Sequence, residues 1–320
     1  MSIISSFVTH ILSQQDCFTL DVSIQYSIPE IDKSKETVFR LPKSRWYSIS
    51  QPKVMQADPF LFVDNETLYI FYEELSTRHS YGIIKMVSTK DLKTFSNPVV
   101  VLEEYGCHFS YPYVFKDGND IYMMPECGCT HSIRLYKASN NKLTKFELHK
   151  VLIQRPIKER EFIRFDFADS CVYKKEGIYY LFTSYNDGEK YFLELYFSEN
   201  LNGSYKKHPQ SPICIGNKYS RCGGCLIEDG MKLYRPAQDC EKEYGGQIHL
   251  LRIIELTPTR YLEEKYLDDV IPIKDSFYKN GGHQLNFVKF KGHIIIATDA
   301  KYQCSFFLER ILLKIKKIFK

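Results

Sequence analysis

Long apolar runs are missing from this chain. No stretch of about 18 consecutive apolar residues occurs, the minimum a membrane-crossing helix needs. The opening residues, Met1 to Gln15, hold an apolar patch but no basic start and no small-residue cleavage site, so no secretory leader is expected. A surplus of charge is missing too. The 43 basic and 39 acidic side chains leave a formal net charge of +4 over 320 residues, which does not imply a nucleic-acid partner. The ten cysteines are too thinly spread for a disulfide scaffold in a chain of this length. They are expected as reduced, mostly buried thiols in a cytoplasmic protein.

Aromatics, by contrast, are plentiful: 24 Tyr and 22 Phe, with 44% hydrophobic residues overall. That composition leans toward strands and allows a sizeable core. One pattern then recurs five times, about 55 residues apart: a short apolar run, a polar or glycine-bearing turn, and a second apolar run. The five copies start at Ala57-Asp58-Pro59-Phe60, Ser110-Tyr111-Pro112-Tyr113, Ala168-Asp169-Ser170-Cys171, Gly223-Gly224-Cys225-Leu226 and His283-Gln284-Leu285-Asn286. Each copy reads as a hairpin. The spacing leaves room for two further strands, such as Ser132 to Lys137 and Leu193 to Phe197. A four-stranded unit repeated five times predicts an all-β, five-bladed β-propeller over residues 45–305. A β-sandwich with look-alike hairpins is the alternative. Residues 1–44 precede the propeller, with Ser44 to Ser50 expected to supply an outer strand that closes the ring.

In such a fold the first residue of each inner strand and the last residue of each second strand gather at one channel mouth. The first set is Asp58, Tyr111, Asp169, Gly224 and His283; the second is Glu73, Glu126, Ser184, Asp239 and Asp299. Carboxylates in such a place are costly unless paired, and crowding separates their pKa values, which suits acid–base work. Backbone capping is the plainer role for Asp58 or Asp169 taken alone. Arg221 and Arg235 could grip a phosphate or carboxylate in bidentate fashion, or could salt-bridge the acids. His283 could be a base, a metal ligand or a core histidine. The pairs Cys127/Cys129 and Cys222/Cys225 have poor spacing for zinc, and no helix pattern follows Gly223-Gly224 to make a phosphate loop. In the tail, residues 306–320, Leu308, Ile311, Leu312, Ile315 and Ile318 fall on one helical face and the lysines beside the other. This predicts a short basic amphipathic helix that lies on a membrane surface or docks on the propeller.

The runs His108 to Val114, Met124-Pro125-Glu126, Phe167-Ala168-Asp169, Ser220-Arg221, Tyr234-Arg235-Pro236-Ala237-Gln238-Asp239, Tyr244-Gly245 and Gly282 to Asn286 resemble the N-terminal propeller domain of glucosamine inositolphosphorylceramide transferases. The resemblance covers roughly residues 45 to 300. It implies a relative of stand-alone bacterial proteins of surface-polysaccharide pathways. The glycosyltransferase domain that follows in the two-domain enzymes has no counterpart here, so activity is not inherited from it. More distantly the pattern is similar to family 43 glycoside hydrolases. Their chemistry implies an Asp base at Asp58, an Asp modulator at Asp169 and a Glu acid where this chain has Gly224. Glu126, Glu194 or Asp239 would have to replace that acid.

The expected function is therefore a glycan-active enzyme of bacterial cell-surface polysaccharide assembly. It would move a sugar from a nucleotide- or phosphate-activated donor to a glycan or lipid-linked acceptor, at the inner face of the membrane. Asp58 would act as base, with Asp169 and Glu126 as its catalytic partners. Tyr111, Arg221, Arg235, Gln238, Asp239, His283 and Asn286 would bind substrate. No cofactor is certain, though the channel could hold a divalent ion. A hydrolase with a relocated acid and a non-catalytic glycan-binding propeller are the rivals.

Overall fold

The computed structural model describes residues 15–25, 47–48, 54–76, 81–160, 163–271, 273–274 and 278–304. The alternating apolar runs form antiparallel strands, joined where two turn residues take left-handed φ. Asn65 and Glu66 (44° and 59°), Glu176 and Gly177 (51° and 83°), and Lys291 and Gly292 (48° and 78°) make three such turns. Left-handed pairs match the twist of the strands they connect.

The described strands hydrogen-bond into five sheets. Sheet one holds Val54–Asp64, Thr67–Ser76, Ile83–Thr89 and Val99–Leu102. Sheet two holds Ser110–Asp117, Asp120–Glu126, Ser132–Ala138 and Phe146–Gln154. Sheet three holds Phe165–Lys175, Ile178–Asn186 and Tyr191–Ser198, edged by Lys206–Lys207 and Cys214–Ile215. In sheet four Arg221–Cys222 and Ile227–Asp229 both pair with Lys232–Asp239, followed by Gln247–Leu256 and Tyr261–Leu267. Sheet five is Leu285–Phe290, His293–Cys304, Gln15–Gln25 and Tyr47–Ser48. First strands touch between sheets one and two, two and three, three and four, and five and one. Leu285 N donating to Gly223 O (2.7 Å) joins sheets four and five. The result is an all-β propeller.

Apolar side chains fill the gaps between sheets. Leu68, Ile70 and Tyr72 of sheet one meet Phe290, Ile295 and Ala297 of sheet five. Met124 and Leu135 of sheet two meet Phe167, Val172 and Leu181 of sheet three. Each such side chain contributes about 1.5–3 kcal/mol by leaving water. Among the described residues the only helical turns are the 3-10 turns Gly128–Thr130 and Ile157–Glu159, and no helix is long and apolar enough to cross a membrane. The amphipathic helix expected over 306–320 lies outside the described residues. Gln15–Gln25, part of the stretch expected to precede the ring, is a ring strand. It pairs along its whole length with the last strand, from Gln15↔Cys304 to Gln25↔Ile294. Sequence repeats miss it because it has no hairpin partner of its own.

In three sheets the first ladder slips at the equivalent place: between Ala57 and Phe60, Ser110 and Tyr113, and Ala168 and Cys171. These are β-bulges, and in each one residue is left-handed: Asp58 (52°), Tyr111 (47°) and Asp169 (51°). The equivalent residue in sheet four, Gly224, has φ 143°. A Cβ there would stand 2.0 Å from Leu285 O. The fourth repeat position therefore admits only glycine. Gly224→Ala is expected to lower the unfolding free energy by about 2–3 kcal/mol. A urea midpoint unchanged from the parent would contradict this reading of the joint.

Candidate functional site

The three bulges aim their first residues at one mouth, where the second strands also end. His283 is the hub. Its Nε2 lies 3.1 Å from Asp58 Oδ1 and its Nδ1 2.8 Å from Asp299 Oδ2. Asp299 Oδ1 also accepts from the backbone N–H groups of His283 (2.7 Å) and Gln284 (3.0 Å). Asp58 Oδ2 accepts from Tyr111 N at 3.0 Å. All three side chains are buried. Burial works against a charged imidazole, but Asp299 and Asp58 outweigh it and raise the His283 pKa well above its ordinary value. Burial likewise works against an ionised Asp58, yet His283, the Tyr111 N–H and Arg221 hold its pKa below the usual carboxylate value. The state that satisfies both is an imidazolium between two carboxylates.

Beside this triad stands a second cluster. Arg221 Nε donates to Asp169 Oδ2 in a short contact, and Arg221 Nη2 reaches Glu126 at 3.6 Å. Its Nη1 donates to Tyr191 Oη (3.0 Å), and its guanidinium lies over the Tyr244 ring, 4.8 Å from the centroid. Gln238 Nε2 donates to Asp169 Oδ2 (2.7 Å) and to Cys222 O (2.7 Å). Glu126 Oε2 accepts from Asp169 N at 3.1 Å. Burial and the Asp169 charge push the Glu126 pKa up to about 8, against the pull of Arg221. Glu126 keeps 17% solvent access, against 3% for Asp169. Glu73 pairs with His108 at 3.1 Å. Burial raises the Glu73 pKa. Burial opposes charge on His108, but Glu73 more than offsets it and raises the His108 pKa.

Asp58, Asp169, Glu126, Arg221, Gln238 and His283 are thus brought together. Several other expected contacts are corrected. Arg235 is fully buried and forks onto Glu263 through Nε (2.9 Å) and Nη2 (2.7 Å), so it holds sheet four together and cannot clamp a phosphate. The Tyr111 hydroxyl accepts from Gly224 N (3.2 Å) while its ring edge meets Phe60, making it a strut across the channel. Asn286 accepts from Leu61 N (3.1 Å) and donates to Cys225 Sγ (3.1 Å), a stitch between sheets. Asp239 takes His249 Nε2 at 3.1 Å, apart from the triad. Glu194 is held by Arg155 (2.9 Å) and Lys207 (2.6 Å) and is no spare acid. Ser184 Oγ donates to Ser220 O (2.7 Å) within the wall.

Sequence reasoning left His108, Tyr191 and Tyr244 out of the site, and placed Asp299 at the mouth without giving it a role there. Asp299 was placed there by the same repeat register that placed Glu73 and Glu126. The other three start strands or sit in connections, outside the repeat register. As for a channel ion, Asp58, His283 and Asp299 do bring their donor atoms within 4.8 Å of one another. Both His283 nitrogens already face carboxylates, so an ion would have to displace the imidazolium proton. The trio fits a self-contained charged triad better than a ligand set.

Residues 41–297 match the family model described as glucosamine inositolphosphorylceramide transferase 1, N-terminal. Two relatives named glucosamine inositolphosphorylceramide transferase 1 are similar. The one from Oryza sativa subsp. japonica is 35% identical over 219 residues, covering 66% of this chain and 28% of that protein. The one from Arabidopsis thaliana is 31% identical over 245 residues, covering 74% and 30%. The chain thus spans less than a third of their length. Among solved structures, a family 117 glycoside hydrolase from Zobellia galactanivorans superposes with a TM-score of 0.54 at 13% identity, over 77% of this chain and 85% of that one. An α-L-arabinofuranosidase from Podospora anserina, in complex with cellotriose, gives 0.55 at 11%, over 76% and 90%. At such identities the likeness is one of fold.

Proposed function

We propose, because this chain belongs to the glucosamine inositolphosphorylceramide transferase N-terminal family, that it is a glycan-active enzyme transferring a sugar from a nucleotide- or phosphate-activated donor to a glycan or lipid-linked acceptor. The observation that carries the reading is the placing of Asp58 and Asp169 on equivalent bulges beside one permanent cation, Arg221. Asp58, kept ionised by His283 and the Tyr111 N–H, takes the proton of the acceptor hydroxyl. Asp169 and Glu126 orient the sugar through its hydroxyls. Arg221, sharing its edge between those two acids, meets the donor phosphate. A phosphate or nucleotide leaves readily, so no acid is needed at Gly224. We read the five sheets as five blades. We read the setting as surface-polysaccharide assembly on the inner face of a bacterial membrane, with residues 306–320 as the surface anchor.

One observation favours a second reading, a hydrolase with its acid moved to Glu126. Glu126 is held protonated up to about pH 8, as a general acid must be, and the carboxylates of Asp58, Asp169 and Asp299 beside it suit a positively charged sugar transition state better than an anionic donor.

The test is a mass-spectrometric screen of the full chain against nucleotide-sugars and simple glycans. Saturable binding of one nucleotide-sugar, with transfer to an added glycan, is expected. Arg221→Met should weaken donor binding about 10-fold or more, the worth of a charged hydrogen bond. Free sugar released without donor selects the hydrolase. Glycan binding with no turnover sinks both enzyme readings and leaves a binding module. Deleting residues 306–320 should abolish association with anionic vesicles; unchanged association rejects the anchor.

A further inference from the structure

Three thiols converge beside the mouth from two segments that share no strand register. Cys107 Sγ lies 2.9 Å from Cys127 Sγ and 3.1 Å from Cys129 Sγ. The three sulfurs fall within 4.8 Å of one another. Cys107 ends a turn fixed by its N–H donating to Glu104 O (3.0 Å). Cys127 and Cys129 flank Gly128 at the 3-10 turn Gly128–Thr130. That turn is tied down by Thr130 N (3.0 Å) and Thr130 Oγ1 (2.8 Å), both donating to Cys127 O.

We infer that Cys107, Cys127 and Cys129 form a site for a thiophilic divalent metal ion, zinc foremost. The cysteine pairing expected to be too poorly spaced for zinc joined Cys127 and Cys129 to Cys222 and Cys225. The structure supplies Cys107 instead, from a loop no spacing rule reaches. Buried cysteines often cluster merely as small apolar groups, but Cys129 is exposed, so apolar packing gives it no reason to sit against Cys107. Three thiols cannot all close into disulfides, whereas one ion takes all three. Sulfur donors select zinc and similar soft ions over calcium or magnesium. The two nearby histidines are engaged elsewhere: His108 with Glu73 and the Gly82 N–H, His131 with Asp166. Three protein ligands leave the fourth position of a tetrahedral ion to water or a small ligand. On binding, each thiol that ligates releases its proton. The Arg134 charge acts on Cys127 and offsets part of the resulting negative charge. Cys107 directly precedes His108 and Cys127 directly follows Glu126, so the ion would tie together two walls of the mouth. The inference stands whether the mouth transfers or hydrolyses sugar.

The full chain, produced in zinc-supplemented medium and kept reduced, is expected to carry about one zinc per molecule by elemental mass spectrometry. Cobalt exchanged into the protein should give a sulfur-to-cobalt charge-transfer band. Cys129→Ser, at an exposed position that leaves the core untouched, should lower bound zinc at least tenfold at limiting metal and abolish that band. Cys214→Ser, on an outer strand, should keep both. Absence of zinc together with absence of the cobalt band in the reduced parent overturns the inference. So does full zinc loading of Cys129→Ser.

Discussion

Replacing His283 with Gln is expected to lower the unfolding free energy by about 3–5 kcal/mol, the loss seen when one partner of a buried ion cluster is removed. Gln keeps much of the bulk and can still donate one hydrogen bond. It cannot supply the charge, so Asp58 and Asp299 are left facing each other in the core, linked by Asp58 N donating to Asp299 Oδ2 (3.3 Å). The second substitution Asp58→Asn should recover part of the loss, because it removes one of the two stranded charges. Chemical denaturation of both variants measures this; equal stability of parent and His283→Gln would mean the triad is not ionised. The parent has its own pH signature. The folded pKa of His283 is raised, so its contribution is fully present below about 6.5, the ordinary histidine value, and fades as pH climbs through the raised one. The folded pKa of Asp58 is lowered, so its contribution is present above about 4 and fades as pH falls through the lowered value. Both are complete only between, and stability of the parent should decline from mildly acid to alkaline pH.

Asp58→Asn alone should leave a folded protein whose turnover is lower by about 10²–10⁴, the range for loss of a positioned base. Asn has the same shape and its Oδ1 can still accept from the Tyr111 N–H. The Asn Nδ2 then donates to His283 Nε2, which gives up its proton, while His283 Nδ1 still donates to Asp299; the triad keeps its net charge, so stability should change by no more than about 1 kcal/mol. The pairing of a large kinetic effect with a small thermodynamic one separates a reacting group from a strut. A variant that is equally stable and equally fast removes Asp58 from the chemistry and moves the search to Glu126.

The ring was legible in the sequence because apolar positions repeat, and Asp58 and Asp169 were legible because a bulge sits at one fixed place in that repeat. Arg235 and Gln238 show where reading the line of residues fails. They are three apart on one strand, so the pleat turns them to opposite faces. One meets Asp169 at the mouth and the other is locked onto Glu263. Both looked equally polar as letters. Tyr111 occupies the same repeat position as the two aspartates, but its length carries the hydroxyl across the channel to Gly224. The closing strand Gln15–Gln25 left no repeat to find, and Cys107 became visible only once the fold had set it against Cys127.

Sheet five is drawn from both sides of the chain, and this sets an order of events on the ribosome. Gln15–Gln25 emerges before its partner, which begins at His293, some 270 residues later. At about 5–20 residues per second the gap is roughly 13 to 54 s. Throughout that wait the strand presents unpaired backbone groups, a template for any passing strand, including the same strand of a neighbouring nascent chain. For this protein the hazard of misassembly belongs to translation, and it ends when the last strand closes the ring.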